Sequence, residues 1–345
     1  GTNSRTFSIE VTPIYPYYHY AEGLTGAVLK AKLHEIISDG AVQLTDDQEN
    51  QALKAIHTDP NNTNNVLYLY NTNSSIPKTA YNDPGGWNKE HCWPESRGLF
   101  ETGPDQVDVH NLYAEDMEVN KLRGALYFDE SDPNDAAYLS PATNTAPQTS
   151  IDSNSFEPPP GSKGNVARAI FYMATRYDGS ESETSALYFT DNPASNNVPA
   201  MGILRTLLLW HAMDPPDVWE RTRNDLIYTN YQHNRNPFVD RPEWVEAIWG
   251  TDSDSDGIND TYEILAGTAT NNPNSRFEAT LAGTQVICSL LSSGSVWRLY
   301  EGTLAGQNIA WRQIAETNRL QAGTLRFNVA PTSPATFYHL RAYRP

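Results

Sequence analysis

Apolar residues recur at helical spacing in several stretches of the chain, separated by polar, glycine or proline punctuation. Leu29, Leu33, Ile36 and Ile37 mark one helix face over 27–37, with Thr25 as N-cap and Gly40 as stop. Thr45-Asp46-Asp47 opens a second helix that runs to Ile56. A turn at 61–65 precedes a strand at 66–70, and a polar loop over 71–86 delivers the chain to Trp87. The next pattern is strand (88–93), Gly/Pro loop (95–107), extended segment (108–113) and helix (115–122). After a long polar loop at 129–160, helices are predicted at 164–177, 201–212 and 215–226, and a last one from Trp244 to Trp249. Beyond 276 the pattern changes to alternation, predicting strands at 277–281, 285–291, 296–301, 309–314, 324–329 and 336–343. Trp297, Tyr300, Trp311, Phe327, Phe337 and Tyr338 interleave there with arginines; a sandwich core accounts for most of these aromatics, and a carbohydrate- or DNA-binding face is the lesser alternative.

No run of 18 apolar residues is present, so no helical membrane span is predicted. The first residues, Gly1-Thr2-Asn3-Ser4-Arg5, have neither a charged start nor an apolar core, and read as a mature or trimmed end. Net charge is −18, which alone argues against a polyanionic partner. Its distribution changes that picture. Residues 1–250 hold 17 Lys and Arg against 34 Asp and Glu, 251–275 hold five acids and no base, and 276–345 hold seven Arg against three Glu. An acidic chain can still bind phosphate where a cleft carries a divalent cation. Cys92 and Cys288 leave a disulfide open, although Cys92 beside His91 reads better as a small buried residue.

Chemistry concentrates at Trp87-Asn88-Lys89-Glu90-His91-Cys92-Trp93-Pro94, with Asp108-Val109-His110-Asn111-Leu112 and Asn120 downstream. A carboxylate (Glu90) and an amide oxygen (Asn120) are hard ligands suited to Mg²⁺ or Mn²⁺. An imidazole (His91) is the group best able to take a proton from water near neutral pH. That trio serves metal-assisted phosphodiester hydrolysis. Successive strand residues face opposite ways, so Glu90 and His91 reach one phosphate only if the strand bends or twists there. A zinc reading of His91, Cys92 and His110 fits no structural zinc spacing.

These residues make the chain resemble the bacterial endonuclease I family of ββα-metal nonspecific nucleases over roughly residues 15 to 245. The resemblance rests on Ala21-Glu22-Gly23-Leu24-Thr25-Gly26, Asn88 to Pro94, Asp108 to Leu112, and Val119-Asn120-Lys121-Leu122-Arg123-Gly124. It continues in Gly164-x-x-Ala167-Arg168 and in Asn234-Arg235-Asn236-Pro237-Phe238. It implies that His91 is the general base and that Glu90 and Asn120 hold one catalytic divalent ion, with cleavage leaving 5′-phosphates irrespective of base sequence. An arginine near the scissile phosphate is implied as well. Arg97, Arg123 and Arg168 are the candidates, Arg168 having the competing role of anchoring its helix to the loop at Asn236. His110 is expected to be structural. Ala114 and Ala125 depart from the family pattern, which carries Pro and Asn there, and bear on loop shape rather than on the metal.

A second motif runs from Asp252 to Glu263. Asp252, Asp254, Asp256, Asp260 and Glu263 occupy positions 1, 3, 5, 9 and 12 of a twelve-residue loop, with Gly257 at 6 and Ile258 offering its carbonyl at 7. This is the pattern of a Ca²⁺ loop, and it resembles the Asp-rich calcium repeats that link domains in secreted bacterial proteins. The expected fold is therefore α+β: a ββα-metal nuclease core surrounded by helices (1–250), an EF-hand-like calcium linker (251–275) and a small β-sandwich-like domain (276–345). The expected protein is a secreted, monomeric, Mg²⁺- or Mn²⁺-dependent endonuclease acting on DNA, with RNA left open as a substrate. The alternative is a calcium-stiffened adhesion or polysaccharide-binding protein whose nuclease-like domain is inert.

Overall fold

The computed structural model describes residues 17–71, 74–192, 198–266 and 268–275, and beyond these the backbone of six strands. Helix α1 (Gly26–Ser38) buries Leu29, Leu33 and Ile37, the face its spacing predicts. His34 on α1 places Nδ1 3.0 Å from the carbonyl of Arg176, so it docks α1 on the end of a later helix. Helix α2 (Asp46–Ile56) starts in a reciprocal capping box between Thr45 and Gln48. Strands β1 (Thr58–Asp59), β2 (Asn62–Leu67) and β3 (Ser75–Pro77) form a small antiparallel sheet. Its central strand thus begins earlier than the predicted 66–70.

Strands β4 (Trp87–His91) and β5 (Leu112–Asp116) pair as an antiparallel ribbon, and helix α3 (Met117–Arg123) follows at once. The extended segment expected at 108–113 lies instead at 112–116. Asp108 explains the shift. Its Oδ1 accepts from His110 N, its carbonyl accepts from Asn111 N, and its Oδ2 accepts the hydroxyls of Tyr172 and Tyr177 at 2.8 Å each. A side chain that bonds its own backbone two residues on makes a turn rather than a strand. Asp116 then caps α3 by accepting from Glu118 N and Val119 N, and Gly124 ends it at φ 51° with its N–H on the Asn120 carbonyl.

The loop expected at 129–160 contributes two strands to a second small sheet, in which β6 (Tyr127–Phe128), just before it, and β7 (Ser150–Ile151) flank β8 (Ser155–Glu157). Helix α4 (Lys163–Arg176) is the axis of the molecule, with all 14 of its residues buried. After a two-stranded pair, β9 (Tyr188–Phe189) with β10 (Ala200–Met201), come α5 (Leu204–Met213), α6 (Val218–Asn230), α7 (Pro237–Asp240) and α8 (Glu243–Trp249). Helix α9 (Asp260–Ala266) leaves the acidic loop. In the tail, strands β11 (Ala279–Ala282), β12 (Gln285–Leu290) and β15 (Gly323–Asn328) form one antiparallel sheet. The other joins β13 (Ser295–Ala305), β14 (Asn308–Arg319) and β16 (Thr336–Tyr343).

Two apolar clusters hold the ribbon from both sides. Tyr113, Cys92 and Trp93 belong to the large core around α4, whereas Trp87, Leu112 and Ala114 pack with Ala52, Leu53 and Ile56 of α2. Directly opposed residues of an antiparallel pair share a face, so Asn88, Glu90, Tyr113 and Glu115 lie on one side and Trp87, Lys89, His91 and Leu112 on the other. Cys92 is a free, buried thiol.

Candidate active site

Glu90 sits on the inner face of the ribbon and is 1% exposed. Its Oε1 accepts the Tyr70 hydroxyl at 2.6 Å, and Arg123 Nη1 lies 3.3 Å from the same oxygen. Burial pushes this carboxyl upward in pKa, against the Arg123 charge and the Tyr70 hydrogen bond. Glu115, two residues along the same face, is fully buried too. Its Oε2 accepts Tyr70 N at 2.7 Å, and its Oε1 accepts Asp116 N. Burial raises it well above the usual carboxylate range, and the Glu90 charge adds to the effect. Two carboxyls are therefore buried on this face and a guanidinium stands beside one of them, Glu90, a balance that a divalent cation would complete.

Asn120, one turn into α3, docks on the edge of this face. Its Nδ2 donates to Lys89 O at 2.7 Å and to Asn88 Oδ1 at 2.8 Å. Both partners accept, so the amide nitrogen is committed to the ribbon and the carbonyl oxygen is the end left for a ligand. The Lys89 carbonyl belongs to the peptide bond of Glu90, and Asn88 shares Glu90's face. Glu90 and Asn120 thus both lie against β4 and offer the hard oxygen donor types that a divalent ion takes.

His91 is the last residue of β4, and the chain bends at Cys92 and Trp93. The ring is 8% exposed, and Nε2 lies 3.0 Å from the Gln106 carbonyl. A carbonyl can only accept, so Nε2 carries the proton and Nδ1 keeps its lone pair. Glu95 Oε1 stands 3.7 Å from the same Nε2. Burial lowers the ring's pKa and outweighs the opposing Glu95 charge and Gln106 carbonyl, so the ring is neutral at neutral pH. Arg123 ties the parts together. Besides facing Glu90, its Nη1 donates to His91 O at 2.8 Å and its Nη2 to Cys92 O, while the guanidinium covers the Phe128 ring.

The other arginines lie elsewhere. Arg97 donates from Nε to Ala125 O and stacks on Tyr127 at 3.8 Å, and its buried Nη1 has no partner. Arg168 is spent on Glu220, with Nε and Nη2 each 2.6–2.7 Å from a carboxylate oxygen and Nη1 on Asp214 O. Asn236 Nδ2 donates to the Arg168 carbonyl at 3.0 Å, so this helix is anchored to the Asn236 loop. His110 is 1% exposed and packs at a tilt against Tyr172 with Nε2 near Asn234 O. Sequence reasoning did not single out Tyr70, Gln106 or Glu115. They lie 20, 15 and 25 residues from Glu90 or His91, and no local pattern announces a tyrosine or a backbone carbonyl as a site partner.

In the acidic loop, carboxylate oxygens of Asp252, Asp254 and Asp256 come within 4.8 Å of one another. Gly257 takes φ 90°, which makes the sharp turn a side chain would resist. Ile258 N donates to Asp256 Oδ1 at 2.8 Å. Glu263 folds back from α9 to 1% exposure. Burial raises its pKa, and the charges of Asp254, Asp256 and Asp260 push the same way, Asp254 most. Asp260 points to the loop's entrance, where it accepts from Thr251 Oγ1, Ser253 N and Ser253 Oγ.

A strand pair feeding a short helix thus carries a carboxylate, an amide and an imidazole, the groups that metal-assisted hydrolysis uses. The sequence profile of the Endonuclease I family matches residues 25–243, and the chain belongs to that family. It is a phosphodiester-cleaving enzyme. It is similar to the extracellular ribonuclease of Bacillus amyloliquefaciens, with 41% identity over 250 residues covering 71% of this chain and 83% of that protein. It is equally similar to the extracellular ribonuclease of Bacillus subtilis (strain 168), with 42% identity over 235 residues covering 68% and 78%. The family match stops at the start of α8, before the acidic loop and the tail.

Proposed function

We propose that this chain is a secreted endonuclease that hydrolyses DNA and RNA with a divalent metal, without base preference, and leaves 5′-phosphates. The observation that carries the reading is the state of His91. Its Nε2–H is held by the Gln106 carbonyl, so Nδ1 is the free base, at the end of the strand that carries Glu90 and to which Asn120 docks. Nδ1 takes the proton of the attacking water, and the imidazolium so formed is steadied by Gln106 O and the Glu95 carboxylate. Glu90 and Asn120 would hold the ion, Mg²⁺ or Mn²⁺, which when bound offsets charge on the phosphorane and the leaving 3′ oxygen. Tyr70 and Arg123 fix Glu90, and Arg123 also pins the end of β4.

Of the three arginines, Arg97 is the one assigned to the phosphate: its Nη1 is uncommitted, whereas Arg123, although its Nε is also unpartnered, spends Nη1 and Nη2 on the end of β4 beside Glu90, and Arg168 is spent on Glu220. Arg123 and Arg168 are assigned positioning roles. RNA is included because both relatives carry the name ribonuclease, and secretion because both are named extracellular. The 252–263 loop is assigned one structural Ca²⁺ on Asp252, Asp254, Asp256, the Ile258 carbonyl and Glu263. The test is cleavage of supercoiled plasmid and of a single-stranded RNA, with and without EDTA, by the wild type and His91→Ala. Cleavage of both by the wild type alone, abolished by EDTA, is the expected result. Undiminished cutting by His91→Ala would end the assignment.

A further inference from the structure

We infer that calcium in the 252–263 loop clamps the catalytic domain itself, so that the domain cannot unfold without releasing the ion. The inference rests on the calcium reading given above and adds the mechanical link. One observation points to a cation independently of the Asp252–Asp254–Asp256 cluster, and a second, within it, agrees. Glu263 is 1% exposed, yet its buried Oε2 has no hydrogen-bond partner, and Asp254 Oδ2 is likewise buried and unpartnered. Uncompensated carboxylate oxygens facing one another are costly without a positive charge between them, and residues 251–275 contain no Lys or Arg.

The loop is fastened to the nuclease through its eighth residue. Asn259 Nδ2 donates to Glu246 Oε2 on α8 at 2.9 Å, and Asp260 N donates to Thr251 O at 2.8 Å. The approach is close. A Cβ at Gly250 would lie 2.4 Å from both Asn259 Nδ2 and Glu246 Oε2, so only glycine lets the two meet. From α8 the contact runs straight into the core, because Trp249 stacks on Phe171 of α4 with centroids 4.8 Å apart and packs edge-on against Phe189 at 5.4 Å. On the other flank Thr261 and Leu265 of α9 are each 5% exposed, and Ile264 borders a groove with Leu204, Leu208 and Trp249. Shaping the loop around a cation therefore fixes Asn259 and α9, and through them α8, α5 and α4.

A ligand bound by the folded state alone lowers the unfolded population by the factor 1 + [L]/Kd, about a hundredfold at a hundred times Kd. The deep amides of α4 exchange only when the domain opens. The experiment uses the full chain, with saturating Mg²⁺ in every arm. Isothermal calorimetry measures Ca²⁺ binding to the wild type, Glu263→Gln and Asn259→Ala, and mass-resolved hydrogen exchange follows peptides from 163–176. The wild type should bind one Ca²⁺ that Glu263→Gln does not bind, and Ca²⁺ at a hundred times Kd should slow α4 exchange about a hundredfold. Asn259→Ala should still bind Ca²⁺ but lose most of that slowing. Binding with unchanged α4 exchange would overturn the clamp and leave the calcium site standing. Absence of binding, or binding untouched by Glu263→Gln, would overturn the calcium site and the clamp with it. Full protection in Asn259→Ala would overturn the Asn259–Glu246 latch.

Discussion

The catalytic ribbon and the acidic loop both gather carboxylates, and they hold them in opposite ways. At the ribbon, Glu90 and Glu115 are buried and gripped chiefly by neighbours distant in sequence, the Tyr70 hydroxyl and amide and, at Glu90, the Arg123 guanidinium, with the adjacent Asp116 amide on Glu115. In the loop, Asp252, Asp254 and Asp256 are held by the loop's own amides, at Asp256, Gly257 and Ile258. The first arrangement is preorganised by packing, and its shape does not depend on the ion. The second has no basic residue within 251–275 to oppose its charge, and the proposed Ca²⁺ would supply the opposing charge. A reactive centre benefits from groups that need not move during reaction, whereas a clamp benefits from groups that change when the ion arrives.

Removing the base is the sharpest test of the preorganised half. His91→Ala should lower cleavage by about 10²–10⁴-fold, the range for general-base catalysis, with an unchanged circular dichroism spectrum. A comparable loss of folded signal would mean that the ring is a structural post. Next in size is Arg168→Met, which strands Glu220 at 2% exposure. It should cost about 3–5 kcal/mol in chemical denaturation while the folded enzyme keeps its KM. A raised KM with unchanged stability would return Arg168 to the phosphate.

Tyr70→Phe removes one hydrogen bond from Glu90 and leaves the ring. Partners behind a metal ligand are worth about 10–100-fold, so a rise of that order in the Mg²⁺ concentration for half-activity is expected. Unaltered Mg²⁺ dependence would show that Glu90 is set by Arg123 alone. The most gradual effect is on acid stability. Burial depresses His110 to about 4 and His211 to about 3, with the Arg168 charge also lowering His211. A depressed histidine stabilises the fold fully above its ordinary value near 6.5, and that stability is lost as pH falls and the unfolded chain takes up the proton. Each should remove about 1.4 kcal/mol per pH unit below 6, levelling off near pH 4 for His110. Glu263, raised by burial and by Asp254, acts the other way in calcium-free protein: its contribution is present at low pH and lost as pH rises. Urea midpoints between pH 4 and 7, with and without Ca²⁺, separate the two signs.

Much of the helical part is legible in the chain because it is local. The Leu29–Leu33–Ile37 stripe, the Thr45 capping box and the long α4 are set by contacts within a few residues, and they fall where the spacing puts them. The second ribbon strand is not local. It starts at Leu112 because Asp108 spends its oxygens on its own turn and on two tyrosines 64 and 69 residues away. Such a choice is invisible until α4 is packed against the turn.

The order of residue types alone determined that a carboxylate, an imidazole and an amide would be available within 31 positions, and that a twelve-residue acidic loop would follow. What tertiary structure decided is how each is used: which nitrogen of His91 stays free, which end of the Asn120 amide faces outward, and which arginines are spent on buried partners. The reason is directional. A residue's chemistry travels with its side chain, but a lone pair's availability depends on which donors and acceptors the fold brings within about 3 Å of it.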